Sequence, residues 1–196
     1  MTELILASAS PRRKELLCQI GVVFTVSPSV IDETPISDEP ALRYVKRMAQ
    51  EKALAVYPQY ADKDCCVLGA DTIVVSQQQV FGKPKDKADA IRMLSSLSGK
   101  THTVYSAVTL ISEQRQEQIV SATEVTFRDI TMAEIEAYWV TGEPKGKAGG
   151  YAIQGLAAIF VENISGSYSG VVGLPLMETS QLLTEFGIPV LALGLD

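Results

Sequence analysis

Apolar residues change period several times along the chain, and each change predicts an element. Leu4 to Ala7 is a short unbroken apolar run, the mark of a buried strand. Ser8-Ala9-Ser10-Pro11 interrupts it. Arg12 to Ile20 then reads as a helix, with Ser10 as its N-cap, Pro11 at the first helical position and Gly21 as its stop. Val22 to Val26 suggests a second strand, and the acidic, proline-containing stretch Ile31 to Pro40 a loop. From Ala41 to Val56 the period becomes helical, with Leu42, Val45, Met48, Ala49, Ala53 and Val56 on one face and Lys52 on the same side. Cys65 to Gly69 is another short apolar strand with Ala70-Asp71-Thr72 at its end. Ile73 to Val75 continues extended, and Val80-Phe81 folds back across a turn at Ser76 to Gln79.

Lys87 to Leu97 is a helix capped by Asp86. Thr101 to Ile111 and Ile119 to Phe127 are two long strands joined by a polar turn, an antiparallel pair. Thr131-Met132-Ala133-Glu134 has capping-box form and opens a helix through Val140. Gly142 to Gly155 reads as a glycine-rich loop, Ile159 to Ile164 as a strand, Ser165 to Gly173 as a turn region, and Leu174 to Phe186 as a last helix. Strands alternate with helices, yet the long middle strands are antiparallel. The pattern therefore predicts an α/β protein with a mixed, twisted sheet and flanking helices.

Length and charge narrow the function. At 196 residues the chain suits one compact domain, or one with a smaller lobe. Its net charge of −6 repels a polyanion at long range, so a nucleic-acid partner is excluded and any phosphate site must be local, for a small phosphorylated molecule. Cys18, Cys65 and Cys66 match no zinc spacing, and neighbouring strand residues point to opposite faces, so Cys65 and Cys66 do not pair with each other. Reduced thiols, a start too short for a signal peptide and no run near the roughly 20 apolar residues of a membrane span point to a cytoplasmic protein away from the membrane.

Three places carry candidate chemistry. Ser8, Ser10, Arg12 and Arg13 surround a helix N-terminus, where free N–H groups and the helix dipole favour an anion and guanidinium forks suit phosphate oxygens. Two cations in a first helical turn oppose that dipole unless an anion arrives. A capped surface helix with solvated arginines accounts for the same residues. Asp71 follows a buried run, and ligands of α/β sheets gather beyond strand carboxyl ends, so it suits a metal or a general base, with Glu33 as a second oxygen donor. A turn residue satisfying local backbone is the plain alternative. Lys52, on an otherwise apolar helix face, and Lys83 in Phe81-Gly82-Lys83-Pro84 suit phosphate charge and a leaving pyrophosphate, or are ordinary solvated lysines. His102 is the only histidine, so no histidine metal cluster exists.

Together these pieces resemble the Maf family. The opening Leu-Ala-Ser-Ala-Ser-Pro-Arg-Arg-Lys-Glu-Leu-Leu resembles its signature. So do Gly69-Ala70-Asp71-Thr72 with Gly82-Lys83-Pro84, Lys147-Ala148-Gly149-Gly150-Tyr151-Ala152-Ile153-Gln154-Gly155, and Gly170-Val171-Val172-Gly173-Leu174-Pro175. The motifs come in the family's order from residue 4 to about residue 186. The resemblance implies one domain over residues 1–196, similar to inosine triphosphate pyrophosphatases, with two lobes around a cleft. It implies hydrolysis of nucleoside triphosphates at the α–β bond with a divalent cation, magnesium or manganese, and a homodimer. Asp71 is then the catalytic acid–base residue, Lys52 and Lys83 its catalytic partners, Ser8, Arg12, Arg13, Thr72 and Gln154 bind substrate, and Glu33 and Asp71 hold the metal. Arg12, Thr72 and Gln154 resemble the branch acting on dTTP and UTP; the 7-methyl-GTP branch usually carries an acidic residue where Gln154 stands. A glutamine amide offers the donor and acceptor that match N3–H and a carbonyl of uracil or thymine. Two other readings stand beside this one: a nucleotide-binding regulator of cell division or septum formation, and a 7-methyl-GTP pyrophosphatase.

Overall fold

Buried apolar runs at the start and middle of the chain pair into one sheet, and the computed structural model, which describes residues 2–192, shows how. The elements are β1 (Glu3–Leu6), α1 (Pro11–Gln19), β2 (Thr25–Val26), α2 (Ala41–Val56), β3 (Cys65–Ser76), β4 (Gln79–Phe81), α3 (Lys87–Leu97), β5 (Thr101–Ile111), β6 (Gln116–Phe127), α4 (Met132–Val140), β7 (Val161–Ser165), α5 (Tyr168–Val172) and α6 (Leu176–Glu185). The seven strands run in the order β2-β1-β3-β5-β6-β7, with β4 also on β3. β2 and β3 pair with β1 in parallel, and β3, β5, β6 and β7 pair in antiparallel fashion. The mixed sheet predicted by the pattern is therefore present.

Several boundaries differ from the expectation: the second long strand begins three residues earlier, at Gln116, and the last helix two later, at Leu176. Only Thr25–Val26 of the second apolar stretch pairs as a strand, because β1 offers it just two partners, Ile5 and Leu6. The last strand begins at Val161, after a 3₁₀ turn over Leu156–Phe160, and α5 forms within the small-residue region. Asp71 does not lie at a strand end: β5 keeps pairing from Val67 to Val75, so β3 runs unbroken through it. What ends there is β1. Along its other edge, β3 pairs with β1 from Cys65 to Leu68 and with β4 from Val74 to Ser76. The edge between them, residues 69–73, has no strand beside it, and Asp71 sits at the centre of that gap.

The two sheet faces are covered unequally. Leu4, Leu6, Leu68, Val108 and Phe127 face the larger core with α1, α3, α4 and α6. Ile5, Val67, Ile73 and Ala107 face α2. Cys65 and Cys66 fall into opposite clusters, as strand alternation requires, and all three cysteines are free thiols. α2 lies close on β3 because the contact is made of small residues. A Cβ at Gly69 would meet the Ala49 carbonyl and would stand 2.6 Å from the Ala53 amide nitrogen. Gly69→Ala must therefore push α2 off the sheet and should cost at least about 2–3 kcal/mol. Gly82→Ala, where nothing lies within 4 Å, should stay within about 0.5 kcal/mol of the native protein. Urea unfolding of the two variants checks this; equal stabilities would refute the tight contact.

Candidate active site

The gap in β3 opens into a cleft of about 700 Å³. Ser8, Arg12, Arg13, Glu33, Lys52, Asp71, Thr72, Lys83 and Gln154 all line it, so every site residue expected from the sequence meets in one place. Asp71 and Thr72 are neighbours on β3 and point to opposite faces of the sheet. The cleft wraps around the end of β1 and takes in both, which divides it into two halves.

On the α2 side, the helix delivers Lys52, whose Nζ lies 2.6 Å from Asp71 Oδ1 and 2.8 Å from Glu33 Oε1. Lys52 is only 8% exposed, its stem packed with the buried face of α2. Asp71 lines the cleft, and its Oδ2 accepts nothing from the described residues. Lys83 reaches Glu33 Oε2 at 3.2 Å. Burial pulls the Glu33 carboxyl upward, but the bonds and charges of Lys52 and Lys83 outweigh it and hold the group below the usual carboxylate range. The acidic loop presents Glu33 because α2 grips it: Tyr44 donates to the Glu33 carbonyl at 2.7 Å, and Arg47 forms a bidentate pair with Glu39 at 2.8 and 2.7 Å.

The opposite half is built on α1. Arg13 donates through Nε to the Gly173 carbonyl (2.9 Å) and through Nη1 to Ser8 Oγ (3.2 Å), with Nη2 3.5 Å from Thr72 Oγ1. Burial lowers the Arg13 pKa, partly opposed by the charge of Asp71. Ser10 was expected as the helix cap, yet its side chain makes no capping bond. Its amide instead donates to Ser8 Oγ at 3.2 Å. Ser8 oxygen thus accepts from both Ser10 and Arg13, and its own O–H has no partner among the described residues. That proton is free for an oxygen in the cleft. Thr72 is held by Ser106, 2.8 Å away, whose hydroxyl donates to the Gly170 carbonyl at 2.6 Å.

The far wall is the glycine-rich loop that carries Gln154. Glu143 pins it, accepting from the Leu156 and Ala157 amides at 3.0 and 3.3 Å and from Tyr138 at 2.8 Å. The carboxylate occupies the space a side chain at Gly155 would fill: a Cβ there would stand 2.6 Å from Glu143 Oε1. Tyr151, also on this wall, is 2.8 Å from His102 Nε2. His102 is buried and has no carboxylate beside it, and burial lowers its pKa from 6.5 to about 4. Sequence reading singled out neither Glu143 nor Ser106. A lone glutamate and a lone strand serine carry no local signal, and the partners that tie them to the site lie mostly far off in the chain, Leu156 13 residues from Glu143 and Gly170 64 from Ser106.

Among the described residues no cluster of three or more His, Cys, Asp or Glu side chains is placed to hold a metal, and no helix is long and apolar enough to cross a membrane.

The sheet, the cleft and the motif residues agree with one family. Residues 3–186 match the model of the Maf-like protein family, and the chain belongs to it. A protein of Pseudoalteromonas atlantica named dTTP/UTP pyrophosphatase is 53% identical over 187 residues, covering 94% of this chain and 97% of its own. One of Vibrio vulnificus with the same name is 52% identical, covering 95% of this chain and all of its own. One of Saccharophagus degradans, again so named, is 50% identical over 96% of this chain and 90% of its own.

Because His102 is neutral in the fold and an unfolded histidine takes up its proton near 6.5, acidification favours unfolding. Its contribution is present above about pH 6.5 and is lost as pH falls towards about 4. Between pH 7 and pH 5 the native protein should lose about 2 kcal/mol more stability than His102→Gln. Parallel urea titrations at the two pH values test this, and equal losses would place the proton elsewhere.

Proposed function

We propose that this chain is a nucleoside triphosphate pyrophosphatase that hydrolyses dTTP and UTP at the α–β bond, releasing the monophosphate and pyrophosphate as a house-cleaning activity. The observation that carries this reading is the Lys52-bridged pair of carboxylates, Asp71 and Glu33, facing Ser8 and Arg13 across the gap in β3. Binding alone has no use for two carboxylates beside phosphates; activating water has. The names of relatives half identical over nearly the whole chain support the same substrates.

Asp71 acts as the general base. It takes a proton from water as the water oxygen bonds to the α-phosphorus and the bond to the bridging oxygen breaks. Lys52, 2.6 Å from Asp71 Oδ1, holds that carboxylate in place. Lys83, Arg13 and the Ser8 hydroxyl stabilise charge on the phosphates and on the departing pyrophosphate. A divalent cation, magnesium or manganese, would be held by Glu33 and Asp71, two hard carboxylate donors lining one cleft, with phosphates and water completing the shell. Such an ion, when bound, neutralises phosphate charge and polarises the phosphoryl oxygens. Arg12, Thr72 and Gln154 select the pyrimidine. Residues 1–196 act as one such domain, in the cytoplasm and as a homodimer; the free thiols accord with a reducing compartment.

Pyrophosphate release from dTTP, UTP, CTP, GTP, ATP and 7-methyl-GTP tests the reading. Turnover should centre on dTTP and UTP, and turnover centred on 7-methyl-GTP would overturn the specificity. Asp71→Asn should lower kcat by roughly 10²–10⁴-fold while leaving nucleotide affinity within a few fold. Near-native turnover in that variant would sink the assigned role.

A further inference from the structure

Beyond Lys52, Lys83 and Arg13, the cleft is lined by two further cations, Arg12 and Lys147. Lys147 lines the far wall, and its Nζ makes one bond, 3.2 Å to the carbonyl of its near neighbour Lys145. Arg12 lines the facing wall. Among the described residues neither forms an ion pair: the salt bridges of the cleft belong to Lys52 and Lys83. The nearest acid on the far wall, Glu143, is fully engaged in pinning the loop. Burial lowers the pKa of Lys147, and the charge of Arg12 lowers it further, only partly opposed by Glu143, so both cations line the cleft with no ion pair of their own. Such a pair asks for an oxygen from outside the protein.

The surroundings say which oxygen. Lys147 belongs to the loop that carries Gln154 and lies on the Thr72 side of the sheet, away from the Lys52 cluster. The lining there is apolar: Val74, Val104, Ala148 and Tyr151. Apolar walls with a few donors suit a planar base better than a polyphosphate. We propose that Lys147, together with Arg12, is a specificity-determining residue that donates to the C4 carbonyl oxygen of the pyrimidine base, the one cytosine replaces with an amine. Uracil and thymine present two carbonyls flanking one N–H. Cytosine replaces one carbonyl with an amine, a donor that meets a cation unfavourably. Lys147 therefore selects for carbonyl-rich pyrimidines and against cytosine. The assignment rests on the pyrophosphatase reading above.

Lys147→Met keeps the stem and removes the donor; Lys147→Arg keeps a cation. Steady-state kinetics of native protein and both variants with UTP, dTTP and CTP separate the possibilities. Lys147→Met should lose roughly tenfold or more in kcat/KM for UTP and dTTP, change little for CTP, and so narrow the preference for UTP over CTP. Lys147→Arg should restore much of that preference. Calorimetry of UMP and CMP binding should show the same loss for UMP alone. An equal loss for UTP and CTP would move Lys147 to the phosphates and overturn the proposal, as would native-like behaviour of Lys147→Met. Native protein that turns over none of the three nucleotides would instead refute the pyrophosphatase reading itself, and unchanged UMP binding by Lys147→Met would still refute the base contact.

Discussion

The closeness of α2 to β3 at Gly69 is the constraint on which the site depends. Ala49 and Ala53 pack where Gly69 has no side chain, so the helix sits low enough for the Lys52 ammonium to reach Asp71 at 2.6 Å. That single ammonium also draws Glu33 in from the acidic loop at 2.8 Å. Without it Asp71 would lose its only ion-pair partner among the described residues, and Glu33 would keep Lys83 alone. The bridge therefore does two things at once. It gives both carboxylates a counter-charge, and it leaves Asp71 one oxygen with no partner among the described residues.

A second constraint comes from the sheet. Parallel β1 stops at Leu6 while antiparallel β5 holds β3 extended for several residues more. The result is a length of strand edge covered on one side only, with adjacent residues facing opposite ways. Asp71 meets the α2 layer, and Thr72 meets the α1 and α5 layer through Arg13 and Ser106. One cleft thus receives acid–lysine chemistry from one face and guanidinium and hydroxyl donors from the other. Separate layers hold the two sets, so the carboxylates and Arg13 approach one another without an ion pair that would quench either.

The donors of the second face are prepared for an incoming oxygen. Ser8 accepts from Arg13 and from the Ser10 amide, which leaves its hydroxyl proton pointing to no protein acceptor. Arg13 is fixed by the Gly173 carbonyl instead of a carboxylate, so its charge stays uncompensated at short range. The glycine-rich loop is held in a different way: Glu143 ties it through two backbone amides, in space left by Gly155. Pre-positioned donors of this kind lower the cost of ordering the site when a phosphate arrives.

Much of this was legible in the linear sequence. The apolar periods located nearly every helix and the long antiparallel pair, because burial of one face imposes its own spacing. The motifs around Ser8, Arg13, Asp71, Lys83 and Gln154 carried the resemblance to the Maf family, to which the chain belongs. An amphipathic helix with a lysine on its apolar side already hinted at Lys52. The sequence alone did not reveal that Ser10 serves through its amide, that Asp71 lies mid-strand beside a gap, that Glu143 and Lys147 border the same cleft, or that Ser106 holds Thr72. Those facts depend on which strand stops first, which residues face each other across the sheet, and which carboxylates are already engaged. Each is a relation between segments tens of residues apart. Local spacing records what a residue does to its neighbours in the chain, whereas hydrogen bonds and uncompensated charges are settled only when distant segments meet.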